Sequence, residues 1–217
     1  MLVGERMTKP VIAVRPETSV VDAHDLMRKE HIGRLPVVNK HGELGGIVTE
    51  DDVLKASPSG VTSLSIHEMT YLLSKLTMEQ IMTRKVITVT EDTPLEDAAR
   101  IMADNEIGGL PVMRGKAVVG MITAASLFRM LLELLGARRA GIRVTASVPD
   151  TPGELAGLTK AIHDLGGNII SLGTFMGDSP AQGVFTLKVE GVEVEPLKQA
   201  IQPYVEKIID IRLTHGG

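Results

Sequence analysis

Residues 7–14, Met7-Thr8-Lys9-Pro10-Val11-Ile12-Ala13-Val14, return at 82–89 as Met82-Thr83-Arg84-Lys85-Val86-Ile87-Thr88-Val89. The echo continues further on, where Ile32-Gly33-Arg34-Leu35-Pro36-Val37 comes back as Ile107-Gly108-Gly109-Leu110-Pro111-Val112. The chain therefore carries a duplicated unit. Two homologous units that dock enclose a pseudo-two-fold cleft, a favoured place for a small ligand.

Local chemistry gives each repeat the same order. The β-branched runs Val11-Ile12-Ala13-Val14 and Val86-Ile87-Thr88-Val89 predict short strands. Helices are expected from Thr18 and Thr93; Thr93-Pro94-Leu95-Glu96 combines an N-cap, a first-turn Pro and a capping-box Glu. Ala23, Leu26 and Met27, matched by Ala98, Ile101 and Met102, form the inward faces. Buried strands follow from Leu35 and Leu110, then turns at His41-Gly42 and Arg114-Gly115, and strands through Ile47-Val48 and Met121-Ile122. Second helices begin at Thr49 and Thr123, so each repeat reads strand, helix, strand, strand, helix.

Ala56-Ser57-Pro58-Ser59-Gly60 is a turn-rich break, and Ser65-Ile66-His67-Glu68 with Met69, Leu72, Leu73 and Leu76 predicts a connector helix over 61–78. The stretch Leu127 to Leu135 is apolar around most of a helix and stops at Gly136, so burial against another subunit is expected. After a linker at 137–141, residues 142–217 read differently. Arg143–Val148 is a strand, and Thr151-Pro152-Gly153-Glu154 opens a helix with Leu155, Leu158, Ile162 and Leu165 on its apolar face. Strands over 169–175 and 184–189, a helix over 196–201 and a strand over 208–213 complete βαββαβ, the ferredoxin-like order. The expected segments are thus 1–60, 61–78, 79–136, 137–141 and 142–217.

Composition narrows the function. Among 217 residues, Lys+Arg number 23 and Asp+Glu 27, a formal net charge of -4 that offers no overall basic field to nucleic acid or an anionic membrane. Aromatics are 2% with no Trp, and Cys is absent, so base-stacking surfaces, thiol catalysis, disulfides and thiolate metal sites are not expected. The first residues lack the apolar core of a secretory signal, and the apolar stretch at 127–135 is too short to span a bilayer. A soluble cytoplasmic location is the expectation. His24, His31, His41, His67, His163 and His215 show no metal-ligand spacing, and no nucleophile elbow or phosphate-binding glycine loop occurs. No catalytic residue, catalytic cofactor or metal site is expected, and the chain is read as a non-enzyme.

The two repeats, in register, resemble tandem CBS domains (a Bateman module), and the last segment resembles an ACT domain. With the Leu-rich connector and its Ser57-Pro58-Ser59 and Tyr71-Leu72-Leu73-Ser74-Lys75, the architecture is similar to that of the acetoin-utilisation proteins. The implied fold is mixed α and β: two CBS units followed by a ferredoxin-like ACT unit. In CBS proteins the nucleotide signature is Gly, two apolar residues, Ser/Thr, two variable residues and Asp, which stands here as Gly46-Ile47-Val48-Thr49-Glu50-Asp51-Asp52. A helix N-terminus offers N–H groups to phosphate, and a carboxylate three residues in can accept from both ribose hydroxyls. Thr49 with Asp52 equally makes a capping box.

The resemblance further implies that Arg34 faces the phosphates, the alternative being a solvated charge, while Thr83, Thr88 and Ile107 line ribose and adenine. The second cleft departs from the pattern: Thr123-Ala124-Ala125-Ser126 has Ser in the place of Asp, and Gly109 stands for Arg34, with Thr8, Ala13 and Ile32 opposite. One good cleft and one degenerate cleft are expected. For the ACT unit the resemblance implies that Asp150, Pro152 and Gly153, with Asn168 and Ile169, can grip an amino acid when loops pair across a dimer; a domain used only for dimerisation is the alternative. The implied function is a regulatory homodimer sensing AMP, ADP, ATP or a related adenosyl ligand, acting on a target enzyme, and tied to acetoin or related carbon metabolism. The rival is a scaffold with empty clefts.

Overall fold

The computed structural model describes residues 1–56, 71, 74–177 and 181–216. It divides into two units, residues 1–127 and 128–217. The connector helix expected over 61–78 falls largely outside the described residues.

In the first unit, repeat one comprises α1 (Val3–Arg6), α2 (Val20–Glu30), β1 (Arg34–Val38), β2 (Leu44–Thr49) and α3 (Glu50–Ala56). Repeat two comprises α4 (Met78–Ile81), β3 (Val89–Thr90), α5 (Leu95–Asp104), β4 (Gly109–Arg114), β5 (Ala117–Thr123) and the start of α6 (Ala124–Leu134), whose residues from Phe128 onward belong to the second unit. β1 and β2 form an antiparallel hairpin with Arg34 opposite Thr49, and β4 and β5 repeat it with Gly109 opposite Thr123. Ala23 and Met27, like Ala98 and Met102, are buried as the apolar spacing requires.

Three local expectations are corrected. The runs at 11–14 and 86–89 are strands only at their ends, since Val14 makes a single parallel bridge to Val37 and β3 begins at Val89. α2 and α5 start at Val20 and Leu95 because the Thr18 and Thr93 hydroxyls accept from Arg15 N–H (3.1 Å) and Thr90 N–H (3.0 Å), closing the preceding turns instead of capping helices. In the second unit, the helix expected from Thr151 starts at Glu154, after Gly153 at φ 101°, because the Thr151 hydroxyl bonds the Glu154 carboxylate (2.9 Å) and no helix N–H.

That second unit holds β6 (Gly141–Pro149), α7 (Glu154–Asp164), β7 (Asn168–Met176), β8 (Gln182–Glu190), α8 (Val194–Ile201) and β9 (Lys207–Thr214). The sheet order β7-β8-β6-β9 is wholly antiparallel, the expected ferredoxin-like arrangement. Ile142, Val144, Ala146 and Val148 point alternately inward from β6, with Phe185, Leu187 and Val189 from β8, against Leu158, Ile162, Leu197 and Ile201 of the helices. Gly141, expected in the linker, is already in the strand.

α6 ends in a Schellman turn: Gly136, at φ 58°, donates to Glu133 O (3.0 Å) and Ala137 to Leu132 O (2.8 Å). Buried Lys188 of β8 donates to Gly136 O (2.9 Å) and Arg139 O, placing a cation on the carbonyl-rich helix end. Phe128, Leu131, Leu132 and Leu134 are exposed in the single chain. Among the described residues nothing covers this apolar face. Among the described residues no helix is long and apolar enough to cross a membrane.

Candidate functional site

The leading segment of each repeat crosses to the other. Thr83 N–H donates to Ile47 O (2.9 Å) and Ile47 N–H to Thr83 O (3.0 Å), so repeat two's leader extends the β1–β2 sheet before Val89 pairs with Val112 in its own sheet. Thr8 and Met121 make the mirror-image pair (2.8 and 3.1 Å), and Val14 then pairs with Val37. Met78 of α4 accordingly sits in the core of repeat one.

These crossings explain the signature glycine. A Cβ at Gly46 would lie 2.5 Å from Met82 Sδ and 3.0 Å from Thr83 O, and one at Gly120 would collide with Met7 Sδ and come within 3.2 Å of Thr8 O. Both glycines admit the neighbouring repeat's leader. Each leader, 8–13 and 83–88, thereby runs between the two hairpins.

At the β2–α3 junction, Asp52 Oδ2 accepts from Thr49 N–H (2.8 Å) and Thr49 Oγ1 (2.7 Å), and Asp52 N–H donates back to Thr49 Oγ1 (3.3 Å). The capping box is formed. It does not use up the carboxylate: among the described residues Asp52 Oδ1 has no hydrogen-bond partner, so cap and ribose acceptor are compatible roles. The first turn of α3 carries Glu50, Asp51 and Asp52. The three carboxylates offset the positive end of the helix dipole, so an anion near this turn would draw its counter-charge from another side chain.

Arg34, half-buried and opposite Thr49, is at the same end of the hairpin, and among the described residues it has no ion-pair or hydrogen-bond partner. Its side chain lies over the backbone of Gly108 and Gly109 in repeat two, where a Cβ on Gly108 would meet Arg34 Nη2 and Cζ and one on Gly109 would stand 3.3 Å from Arg34 Cδ.

Thr83 and Thr88 are exposed on the crossing leader, and Ile107 is half-buried at the loop entering β4. Thr88 lines a groove of about 560 Å³ with Glu43, Leu44, Arg84, Val86 and Lys116. Arg34, Thr49 and Asp52 do not line that groove: they sit at the helix end of the hairpin, and Glu43 and Leu44 at its turn end. The Asn39 side-chain amide (2.8 Å) and then the Lys116 ammonium (3.7 Å) hold the Glu43 carboxyl below its usual range. Glu43, Arg84 and Lys116 carry no local sequence signal: the pairing of equivalent hairpin starts, Glu43 with Ala117, brings Glu43 and Lys116 together, and the crossing leader adds Arg84.

In the second cleft, Thr123 Oγ1 accepts from Ser126 N–H (3.3 Å) and lies 3.2 Å from Ser126 Oγ, a neutral copy of the cap. Ser126 is buried, Ala13 and Ile32 are half-buried, and Thr8 is exposed. Among the described residues no cluster of His, Asp and Glu could hold a metal ion.

In the second unit Asp150 and Gly153 line a cavity of about 700 Å³ with Glu154, Phe175, Met176 and Phe185. Pro152 is exposed in the same loop but is not part of the lining. Asn168 and Ile169 are elsewhere: Asn168 pairs with Glu190 and donates to its carboxylate (2.7 Å), while Pro149, just before Asp150, pairs with Gln182 at the other end of the sheet. Within one chain the two halves of the expected amino-acid site are not brought together.

A CBS-domain family model matches residues 3–59 and 78–133, and a TTHA0829-like ACT-domain model matches 140–212. Among curated proteins, an L-aspartate semialdehyde sulfurtransferase of Methanocaldococcus jannaschii is 35% identical over 130 residues, covering 59% of this chain and only 23% of that protein. Among solved structures, the CBS pair of MJ0100 with 5'-methylthioadenosine and S-adenosyl-L-methionine is 34% identical (TM-score 0.51, 60% of this chain and 95% of that one). CBSX2 in complex with AMP is 32% identical (TM-score 0.52, 61% and 97%). A putative acetoin utilisation protein, AcuB, from Vibrio cholerae is 26% identical (TM-score 0.53, 63% and 93%). With two matches to one domain model together covering about half of its length and a match to another covering most of the remainder, the chain belongs to the CBS-domain family, as a tandem CBS pair followed by an ACT domain.

Proposed function

We propose that the CBS pair binds an adenine nucleotide or related adenosyl ligand, and that its occupancy regulates a target enzyme rather than feeding chemistry in this chain. The carrying observation is one end of a hairpin where, among the described residues, the Asp52 carboxylate has Oδ1 unpartnered and Arg34, opposite Thr49, has no counter-ion, with a leader that brings Thr83 alongside β2. The adenosyl compounds held by the MJ0100 and CBSX2 pairs support that ligand class. Thr49, Asp52 and Arg34, with Thr83 and Ile107, make up the principal site in this reading; Thr88 lies further along the same leader, in the groove at the turn end of the hairpin, and would reach the ligand only from that side, and the second cleft is the weaker.

The ACT unit completes a cytoplasmic homodimer and takes an amino acid between paired copies, where Asp150 of one chain can approach Asn168 of the other. Similarity to the Vibrio cholerae protein supports a place in acetoin or related carbon metabolism. The uncovered face of α6 also favours a scaffold, so ligand binding decides between the two. At a hundredfold excess over Kd a ligand adds about 2.7 kcal/mol, which raises Tm by about 5 to 10 °C for a domain of this size. A melt unmoved by AMP, ATP and S-adenosylmethionine refutes the sensor.

A further inference from the structure

The two repeats share the dipeptide Ile-Gly before their central hairpins, yet its glycines have different surroundings. Among the described residues, a Cβ at Gly33 would find only Glu50 Oε2, 3.9 Å away. At Gly108 it would strike the Arg34 guanidinium, meeting Nη2 and standing 3.0 Å from Cζ and 3.4 Å from Nη1. The difference follows from the next position. Arg34 follows Gly33 and reaches across to repeat two, whereas Gly109 follows Gly108 and sends nothing back.

We propose that Gly108 is a positioning residue for nucleotide recognition: its bare backbone is the shelf on which Arg34 lies, aiming the guanidinium between the two clefts at the 5'-phosphate of a bound nucleotide. The inference rests on the sensor reading above and adds a residue that makes no ligand contact of its own. With its guanidinium over Gly108 and its Cδ over Gly109, the Arg34 side chain has less freedom to lose on binding, so the fork meets a phosphate already oriented. Its charge is uncommitted, because among the described residues no carboxylate pairs with it. The neighbouring α3 start, with three acids in its first turn, cannot supply that charge. Arg34 is thus supplied by one repeat and seated by the other. Gly109 belongs to the same shelf, but a Cβ there would also press on Ile122 O at 3.3 Å, so Gly108 is the cleaner probe.

The test is calorimetric titration of the full-length protein with AMP and with adenosine, which differ only in the phosphate. Loss of a hydrogen-bonded charge contact corresponds to about tenfold or more in affinity. Arg34→Ala and Gly108→Ala are each expected to weaken AMP about tenfold and adenosine less than twofold, and the double variant to be no weaker than Arg34→Ala alone. Gly33→Ala, where the methyl has room, is expected to bind AMP within twofold of wild type. AMP affinity unchanged in Gly108→Ala, equal losses for AMP and adenosine, or losses that multiply in the double variant overturn the inference while leaving the sensor intact. A wild type that binds neither compound overturns the sensor and the inference with it. Should Gly108→Ala not fold, the double variant, in which the methyl has no guanidinium to meet, is compared with Arg34→Ala: equal AMP affinity supports the shelf, and a further loss refutes it.

Discussion

Replacing Asp52 by Ala separates two jobs that one carboxylate performs. In the free protein the substitution removes the bonds from Thr49 N–H and Oγ1 to Oδ2, at 2.8 and 2.7 Å. Loss of a capping interaction costs about 1 kcal/mol, so the melting of the CBS unit falls by about 2 to 4 °C without ligand. In the complex the same substitution removes the acceptor for ribose hydroxyls, and hydrogen bonds to a charged group are worth about 1.5 to 3 kcal/mol, or about 10- to 150-fold in Kd. The two effects are read separately, the first by a melt of the free protein and the second by titration with AMP at 25 °C. Ser126→Ala, which removes a neutral hydroxyl 3.2 Å from Thr123 Oγ1, is expected to change Kd by less than about threefold. Asp52→Ala within threefold of wild type, or matched by Ser126→Ala, would show that Asp52 only caps α3 and that the clefts are not unequal as proposed.

Assembly and pH supply two more tests. Leu131 is 46% exposed on α6 between the more exposed Phe128 and Leu134; burying each such residue is worth about 1.5 to 3 kcal/mol, so Leu131→Glu should weaken a dimer at least tenfold, and light scattering showing a monomeric wild type at micromolar concentration refutes the interface. In the ACT unit the Arg212 guanidinium, donating to both Asp210 oxygens, and then Arg143 at 3.1 Å hold the Asp210 carboxyl below its usual 3.8. A carboxyl depressed on folding contributes stability fully above its ordinary value and loses it as pH falls through the lowered one. The stability gap between wild type and Asp210→Asn should therefore close below about pH 4, and a gap constant from pH 7 to pH 2 in urea melts refutes the pairing.

What was legible in the sequence is what short-range chemistry controls. The duplicated hairpins follow from buried Leu35-Pro36-Val37 and Leu110-Pro111-Val112, and the βαββαβ order from alternation such as Ile142, Val144, Ala146 and Val148. Helix starts slipped where a hydroxyl had two local partners to choose from: Thr18 and Thr93 chose the turn behind them rather than the helix ahead. The clefts were only half legible, because their other half is tertiary. Nothing near Thr83 announces that it will pair with Ile47 in the other repeat, and nothing near Gly46 announces Met82.

The two Ile-Gly steps make the limit concrete. Gly33 and Gly108 are the same letter in the same motif, and no local pattern separates open space from a seat for an arginine. The distinction arises one position later, where Arg34 is matched by Gly109, and only after the repeats dock. A substitution that breaks the repeat's symmetry in sequence can therefore complete a shared feature in space. Gly109, which from sequence marks a lost arginine, lies under the one arginine that remains of the pair.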